Sequence, residues 1–347
     1  MGKKTVEVTF ETITPLWTGN AWQENKEVRP SSIFGGLRFW FSLYWYNKTG
    51  SKEKLNNNGI PDENLRKLEN LKEGRTFKNL FKEEFLETNN LDEATDKALE
   101  KLGLTVPSRI FGCTGWKSRV KLIIKDYEST TLNIDNIETK YPFSKDIPIN
   151  TTFWIKKLIF RNSKEVSAFQ NIKMTLITTD YWWNKYLKNF FCSIKNQILL
   201  IGGKNSFGFG FTRIYVNFIE EKNTIENDNS NWDNELLITR IPSINYEGSK
   251  TVLGFNFKYF LRKKEEKKYR KLIFGDKGVA SKIYVSNLLT ETLCNKSDKC
   301  IYLLALQSPY MSHEKKVKDL DKRFEKYKNL LLELSKDKGD GKIRTFS

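Results

Sequence analysis

The sequence predicts an α+β fold of two tandem ferredoxin-like (RRM-like) domains, with antiparallel sheets, helices on one face and a helical insertion in the first domain. Three observations predict it. Residues 1–230 read in the order strand, helix, strand, strand, helix, strand. Residues 110–120 recur in degenerate form at 273–283. The chain has 347 residues, 39% of them hydrophobic and 14% aromatic, which suffices for two cores and excludes wholesale disorder.

Each element has its own signal. Residues 5–13 alternate Val6, Val8 and Phe10 against Glu7, Thr9 and Glu11, a half-buried strand. Thr14-Pro15 stops it and Gly19-Asn20 marks a loop. Pro30-Ser31-Ser32 opens a helix with a serine cap, and Ile33, Leu37, Trp40, Phe41 and Tyr44 follow at helical spacing. Residues 47–102 shift in composition. They contain the low-complexity run Asn56-Asn57-Asn58-Gly59, then Phe77, Leu80, Phe81 and Phe85 among charges, and read as a solvated insertion of short helices. Strands are expected at 119–125, 153–160 and 172–178. A helix is expected over 180–200, with Trp183, Leu187, Phe190, Ile194 and Ile198 as its stripe. A glycine-rich turn, 201–210, leads into a strand carrying Ile214, Val216 and Phe218. The Asn-rich stretch 220–232 is the expected linker, placing the domains at 1–230 and 231–347. The second domain shows strand signals at 251–260, 282–285 and 301–306. A final helix carries Val317, Leu320, Phe324, Tyr327, Leu331 and Leu334.

The repeat pairs Ile110-Phe111-Gly112-Cys113-Thr114-Gly115-Trp116-Lys117-Ser118-Arg119-Val120 with Ile273-Phe274-Gly275-Asp276-Lys277-Gly278-Val279-Ala280-Ser281-Lys282-Ile283, with five of eleven positions identical. It reads as two related domains, each with a glycine turn feeding a basic strand.

Lys and Arg number 59 against 42 Asp and Glu, a net charge of +17. A surplus of that size points to a polyanion, nucleic acid or an anionic membrane surface; the bland alternative is a Lys-rich composition that only maintains solubility. No apolar run reaches the roughly 20 residues of a membrane span, and the basic N-terminus has no apolar signal core, so a cytoplasmic protein without a membrane partner is expected. Cys113, Cys192, Cys294 and Cys300 are scattered, and His313 is the single histidine. They offer neither a zinc site nor a disulfide framework. No Ser-His-Asp or Cys-His arrangement and no acidic cluster beside the glycines is legible. The expectation is therefore a non-enzyme without catalytic residues, metal or cofactor.

Binding is easier to place. Gly202-Gly203-Lys204 follows a helix and opens a strand, the reverse of a nucleotide-binding P-loop. Its glycines allow close backbone approach, and bare N–H groups suit phosphate oxygens. With Lys204, Asn205, Gly208, Gly210 and Arg213 it reads as an RNA-backbone contact; a helix C-cap and tight turn is the structural alternative. The segment 29–40 is the second candidate. A helix N-terminus attracts anions, Ser31 and Ser32 supply hydroxyls, Gly35 and Gly36 weaken the first turns, and Arg29 and Arg38 bracket the site. Trp17, Trp22, Trp116 and Lys117 interleave aromatics with cations, as base stacking requires, and Arg119 continues that basic strand.

Four motifs together resemble the RAMP superfamily of CRISPR proteins. They are Thr14-Pro15-Leu16-Trp17-Thr18-Gly19, Arg29-Pro30-Ser31-Ser32-Ile33-Phe34-Gly35-Gly36-Leu37-Arg38-Phe39-Trp40, residues 110–118, and the late glycine loop. Within that superfamily they resemble the Cmr subunit of type III-B effector complexes that carries two tandem ferredoxin-like domains. The resemblance implies a non-catalytic subunit in antiviral defence. It would contact guide RNA and single-stranded target RNA near the 3′ end of the guide, beside other RAMP subunits of the Cmr complex. It also makes Trp40 part of the expected RNA-binding set. One departure stands out: Lys204 is the sole cation from Gly202 to Gly210. The alternative is a RAMP endoribonuclease processing guide-RNA precursor, which would want a histidine near the first helix, where this chain has none.

Overall fold

The computed structural model describes residues 2–19, 24–49, 71–143, 150–217, 236–275, 281–288, 299–307 and 317–335. The expected linker at 220–232 and His313 lie outside these residues.

The N-terminal half runs β1 (Lys3–Thr12), α1 (Pro30–Thr49), α2 (Leu71–Thr88), α3 (Leu91–Lys101), α4 (Val106–Phe111), β2 (Lys121–Asn133), β3 (Ile137–Glu138), α5 (Thr152–Ile155), β4 (Glu165–Thr179), α6 (Asp180–Trp182), α7 (Lys188–Ile194), β5 (Ile198–Leu200) and β6 (Phe211–Asn217). Its five-stranded sheet has the order β2-β4-β1-β6-β5, with every pair antiparallel. Register follows the expected alternation. Val8 lies between Met174 and Val216, and Phe10 between Ile172 and Ile214, so the apolar set shares one face. That face packs on Leu37, Trp40 and Phe41 of α1 and Phe190 and Ile194 of α7.

The C-terminal half runs β7 (Leu236–Ile241), β8 (Thr251–Val252), α8 (Gly254–Lys264), α9 (Lys267–Phe274), β9 (Ile283–Val285), β10 (Ile301–Leu306) and α10 (Leu320–Leu332). Its described sheet has the order β7-β10-β9, again antiparallel, and β8 pairs in parallel with β3. Both faces of this sheet are buried. Ile301, Leu303 and Ala305 meet Phe257 and Leu261 of α8 and Phe324 and Tyr327 of α10. The alternating Leu236, Ile238, Leu304 and Leu306 join the core of the N-terminal half. A free sheet face, the usual platform of RNA-recognition domains, is therefore absent from the described C-terminal half.

The two repeat copies share their backbone. Gly112 and Gly275 adopt positive φ (80° and 81°). Ser118 Oγ donates to Val120 O (2.7 Å) as Ser281 Oγ donates to Ile283 O (2.6 Å). Arg119 N donates to Ile110 O (2.8 Å) as Lys282 N donates to Ile273 O (2.7 Å). Arg38 of α1 donates to Gly112 O and Arg262 of α8 to Gly275 O (2.6 and 2.9 Å), so the repeat extends to the first helix of each half.

Several expected elements differ. Residues 153–160 form α5 and a π turn, Lys156–Phe160, rather than a strand, because Ile155, Ile159 and Phe160 fall at helical spacing into one cluster. The second long helix ends at Ile194. Asn196 takes φ 63°, and Ile198 belongs to β5, where it pairs with Arg213. Only Thr251–Val252 of the expected 251–260 strand is extended; Phe257, Phe260 and Leu261 are buried along α8. β7 carried no recognised signal. The insertion is not wholly solvated: Asp92, Ala94, Asp96, Ala98 and Leu99 of α3 are buried. Cys300 is disulfide-bonded, against the expectation from four scattered cysteines.

Candidate nucleic-acid interface

Three segments converge at the N-terminal end of α1. The loop after β1 is fastened to β4 by reciprocal Leu16–Phe169 backbone hydrogen bonds (2.7 and 3.1 Å). Its Thr18 hydroxyl donates to Glu27 O (2.8 Å) and accepts from Arg29 N (3.2 Å), while Ser32 Oγ donates to Thr18 O (3.2 Å). Asn25 braces the turn, accepting from Thr18 N and donating to Ser167 O (2.8 and 2.7 Å). The glycine loop docks on the same segment, Gly203 N donating to Trp17 O (2.7 Å). Gly202 has φ 77°, and a Cβ there would meet Trp17 O at 2.5 Å, so close protein packing requires this glycine. Gly36 packs closely as well, a Cβ there lying 3.3 Å from the Ile201 Cδ1 methyl, which would have to shift slightly.

Gly35 is different. It is exposed, and the space its Cβ would fill is empty to 4 Å. Ser31, four residues earlier on the same helix face, is exposed too. No acidic residue occupies the first turn of α1, so its positive end is uncompensated from within. Lys204 lies beyond the Gly202–Gly203 step. Burial and the nearby Arg161 guanidinium both hold its ammonium below the usual lysine range. An incoming phosphate would relieve that repulsion. Arg29 is half-committed, pairing with Glu27 at 3.0 Å. A cleft of about 740 Å³ opens beside the loop after β1, lined by Trp17, Phe160, the cations Lys26 and Arg161 and the carboxylates Glu24 and Glu165.

The remaining expected residues sit elsewhere, most of them with protein partners. Arg38 bridges Gly112 O and Ser108 Oγ (2.6 and 2.8 Å). Trp40 is fully buried and donates to Leu200 O (2.9 Å). Arg119 lies over the Trp116 ring at 4.3 Å, its pKa lowered by burial. Lys117 is exposed on the 112–118 turn. Arg213 stands on β6, 4.0 Å from Glu11. Asn205 closes its own loop through Phe209 O (3.3 Å). Gly210 (φ 79°) lets Ile201 N reach its carbonyl (2.9 Å). Gly208 (φ 93°) forms the junction between the halves: a Cβ there would meet Gly254 N at 2.8 Å, and Phe207 stacks on Phe255 at 4.6 Å. Most of the glycine loop therefore serves packing, Gly203 included through its N–H on Trp17 O, and Lys204 stands beside Arg161. Arg161 and Lys26 were not singled out in the sequence. Arg161 lies in a run, residues 150–164, with four cations and no acid, which was the available signal.

Among the described residues no group of three or more His, Cys, Asp or Glu is placed to hold a metal ion, and no helix is long and apolar enough to cross a membrane. Residues 9–213 match the family model of the RAMP superfamily. The chain belongs to the RAMP superfamily. The matched span of this RAMP protein runs from β1 into β6 and so contains α1, the glycine loop and the residues that line the cleft. A crystal structure of Cmr1 from Pyrococcus furiosus in its apo form is similar at 15% identity and a TM-score of 0.47, over 94% of this chain and 96% of that one. No curated protein matches the chain.

Proposed function

We propose that this RAMP protein is a non-catalytic, RNA-binding subunit of a type III-B CRISPR (Cmr) effector complex. Its groove at the start of α1 would hold the backbone of guide or target RNA near the 3′ end of the guide. The observation that carries the reading is that the acid-free N-terminus of α1, with its open face at Ser31 and Gly35, meets the glycine loop that carries Lys204 beside Arg161. The net charge of +17 and the four motifs support it, as does the sheet order, in which β6-β1-β4-β2 follows the ferredoxin-like pattern. The single histidine, far in sequence from α1, supports a non-catalytic role.

The test is binding of single-stranded RNA across a salt series. Affinity should fall steeply with salt through counterion release, and Lys204→Ala should lower the slope by about 1. Gly35→Glu places an anion in open space at the start of α1 and should abolish binding while the melting temperature holds or rises, because glycine costs a helix about 1 kcal/mol relative to alanine and glutamate costs less. Full affinity in Gly35→Glu would remove the groove from the reading. Repeat RNA incubated with the protein in EDTA should return intact; cleavage would transfer the assignment to a guide-processing endoribonuclease.

A further inference from the structure

The turn formed by α5 and Lys156–Phe160 has two unlike faces. Ile155, Ile159 and Phe160 point inward to a cluster with Trp17, Phe207, Phe209 and Leu253. Thr151 Oγ1 donates to Asn256 Oδ1 (2.7 Å), tying the start of the turn to α8, and Asn162 N closes its end on Lys156 O (3.1 Å). The turn is thus held from both halves of the molecule. Its outer face carries Phe153 and Trp154, 61% and 47% exposed, with ring centroids 5.2 Å apart at 79°. Nothing in the fold requires these two aromatics to stand in solvent.

We infer that Phe153 and Trp154 form a stacking platform for the bases of single-stranded RNA, beside the backbone groove at Lys204. The inference rests on the RNA-binding reading and adds to it a base-contacting site. Charge identifies the occupant. Residues 150–164 hold Lys156, Lys157, Arg161 and Lys164 and no acid. Lys157 Nζ lies 5.3 Å over the Phe153 ring, and Lys156 is exposed beside it. Lysine is depleted in protein–protein interface cores, whereas aromatics among cations are the pattern that tracks a single strand. Continuity points the same way. Arg161, at the end of this turn, is the cation that acts on Lys204, and with Ile159 and Phe160 of the same turn it lines the cleft beside Trp17. A rigid platform also spares the ordering cost of a flexible loop.

The experiment compares two fluorescent probes of equal length and charge, a 12-mer of oligouridine and its abasic ribose-phosphate counterpart, on the full-length protein. Wild type should bind oligouridine about tenfold more tightly than the abasic probe. Phe153→Ala/Trp154→Ala should bind both alike, at the abasic affinity, with an unchanged salt slope and melting temperature. Phe153→Trp/Trp154→Phe should restore the preference. A variant that keeps the preference overturns the platform while leaving the groove standing. A wild type that binds neither probe overturns the RNA reading and the platform with it. Unchanged RNA affinity in the double alanine variant, combined with loss of association with another Cmr subunit, overturns the platform and makes this face a protein contact.

Discussion

Arg38 and Arg262 show how a residue type that suggests one contact can be found making another. Arginine in a glycine-rich helical start reads as a phosphate ligand, yet each side chain reaches the carbonyl of a left-handed glycine in its own half, Arg38 at Gly112 and Arg262 at Gly275. Hydrogen bonds from a charged donor contribute on the order of 1.5–3 kcal/mol. Arg38→Ala should therefore lower the melting temperature by several degrees while the folded protein keeps its RNA affinity, as melting curves run beside titrations will show. Loss of affinity without loss of stability would return Arg38 to the RNA. The motif spacing was legible because the residues are neighbours in sequence. The partner was not, because Gly112 lies beyond the insertion at 47–102.

At the scale of elements, α3 carries the largest surprise. Its helix is announced locally, by Asn90 capping Asp92 N and Glu93 N (3.0 and 3.2 Å). Its burial is not, because the polar positions Asp92 and Asp96 are the ones turned inward. Asp96 is fully buried and meets Arg109 (2.9 Å), Lys185 (2.9 Å) and the hydroxyl of Tyr181 (2.8 Å). The hydroxyl of Tyr186 donates to it as well. Periodicity arguments assign charge to solvent, so a helix docked through an ionic network reads as exposed. Removing one member of such a network strands its partners: Asp96→Ala leaves Arg109, 4% exposed, beside only the largely exposed Glu100, and should cost about 3–5 kcal/mol in chemical denaturation. A loss below 1 kcal/mol would mean that water replaces the carboxylate. The same limit explains α5: Ile155 and Ile159 suit a strand and a helix equally, and the helix buries them against Trp17, Ile137, Phe207, Phe209 and Leu253, partners distant in sequence.

For the whole molecule, β1 and the repeat were readable because Val6, Val8 and Phe10 alternate and the two copies share five residues, whereas β5, β7 and the helical start of the C-terminal half were not. There the apolar residues face two cores at once, so alternation disappears. Stability should also depend on pH in a defined window. Burial lowers Lys258, helped by nearby Arg262, to about 7, and lowers Lys282 to about 8. Both return to about 10.4 in the unfolded chain, which then holds more protons. Stability should rise with pH between roughly 7 and 10. Lys258→Met should flatten the rise and stabilise the protein most at the low end. An unchanged profile in that variant would show that the ammonium finds water in the folded state.

The shared core has a consequence for synthesis. Leu236, Ile238, Leu304 and Leu306 complete the apolar cluster begun by Val6 and Phe10. A ribosome that has finished β6 at Asn217 must still deliver β10, at Leu306, before that cluster is sealed. At about 5–20 residues per second the nascent N-terminal half stays open for roughly 4–18 s, long enough for a chaperone to engage it.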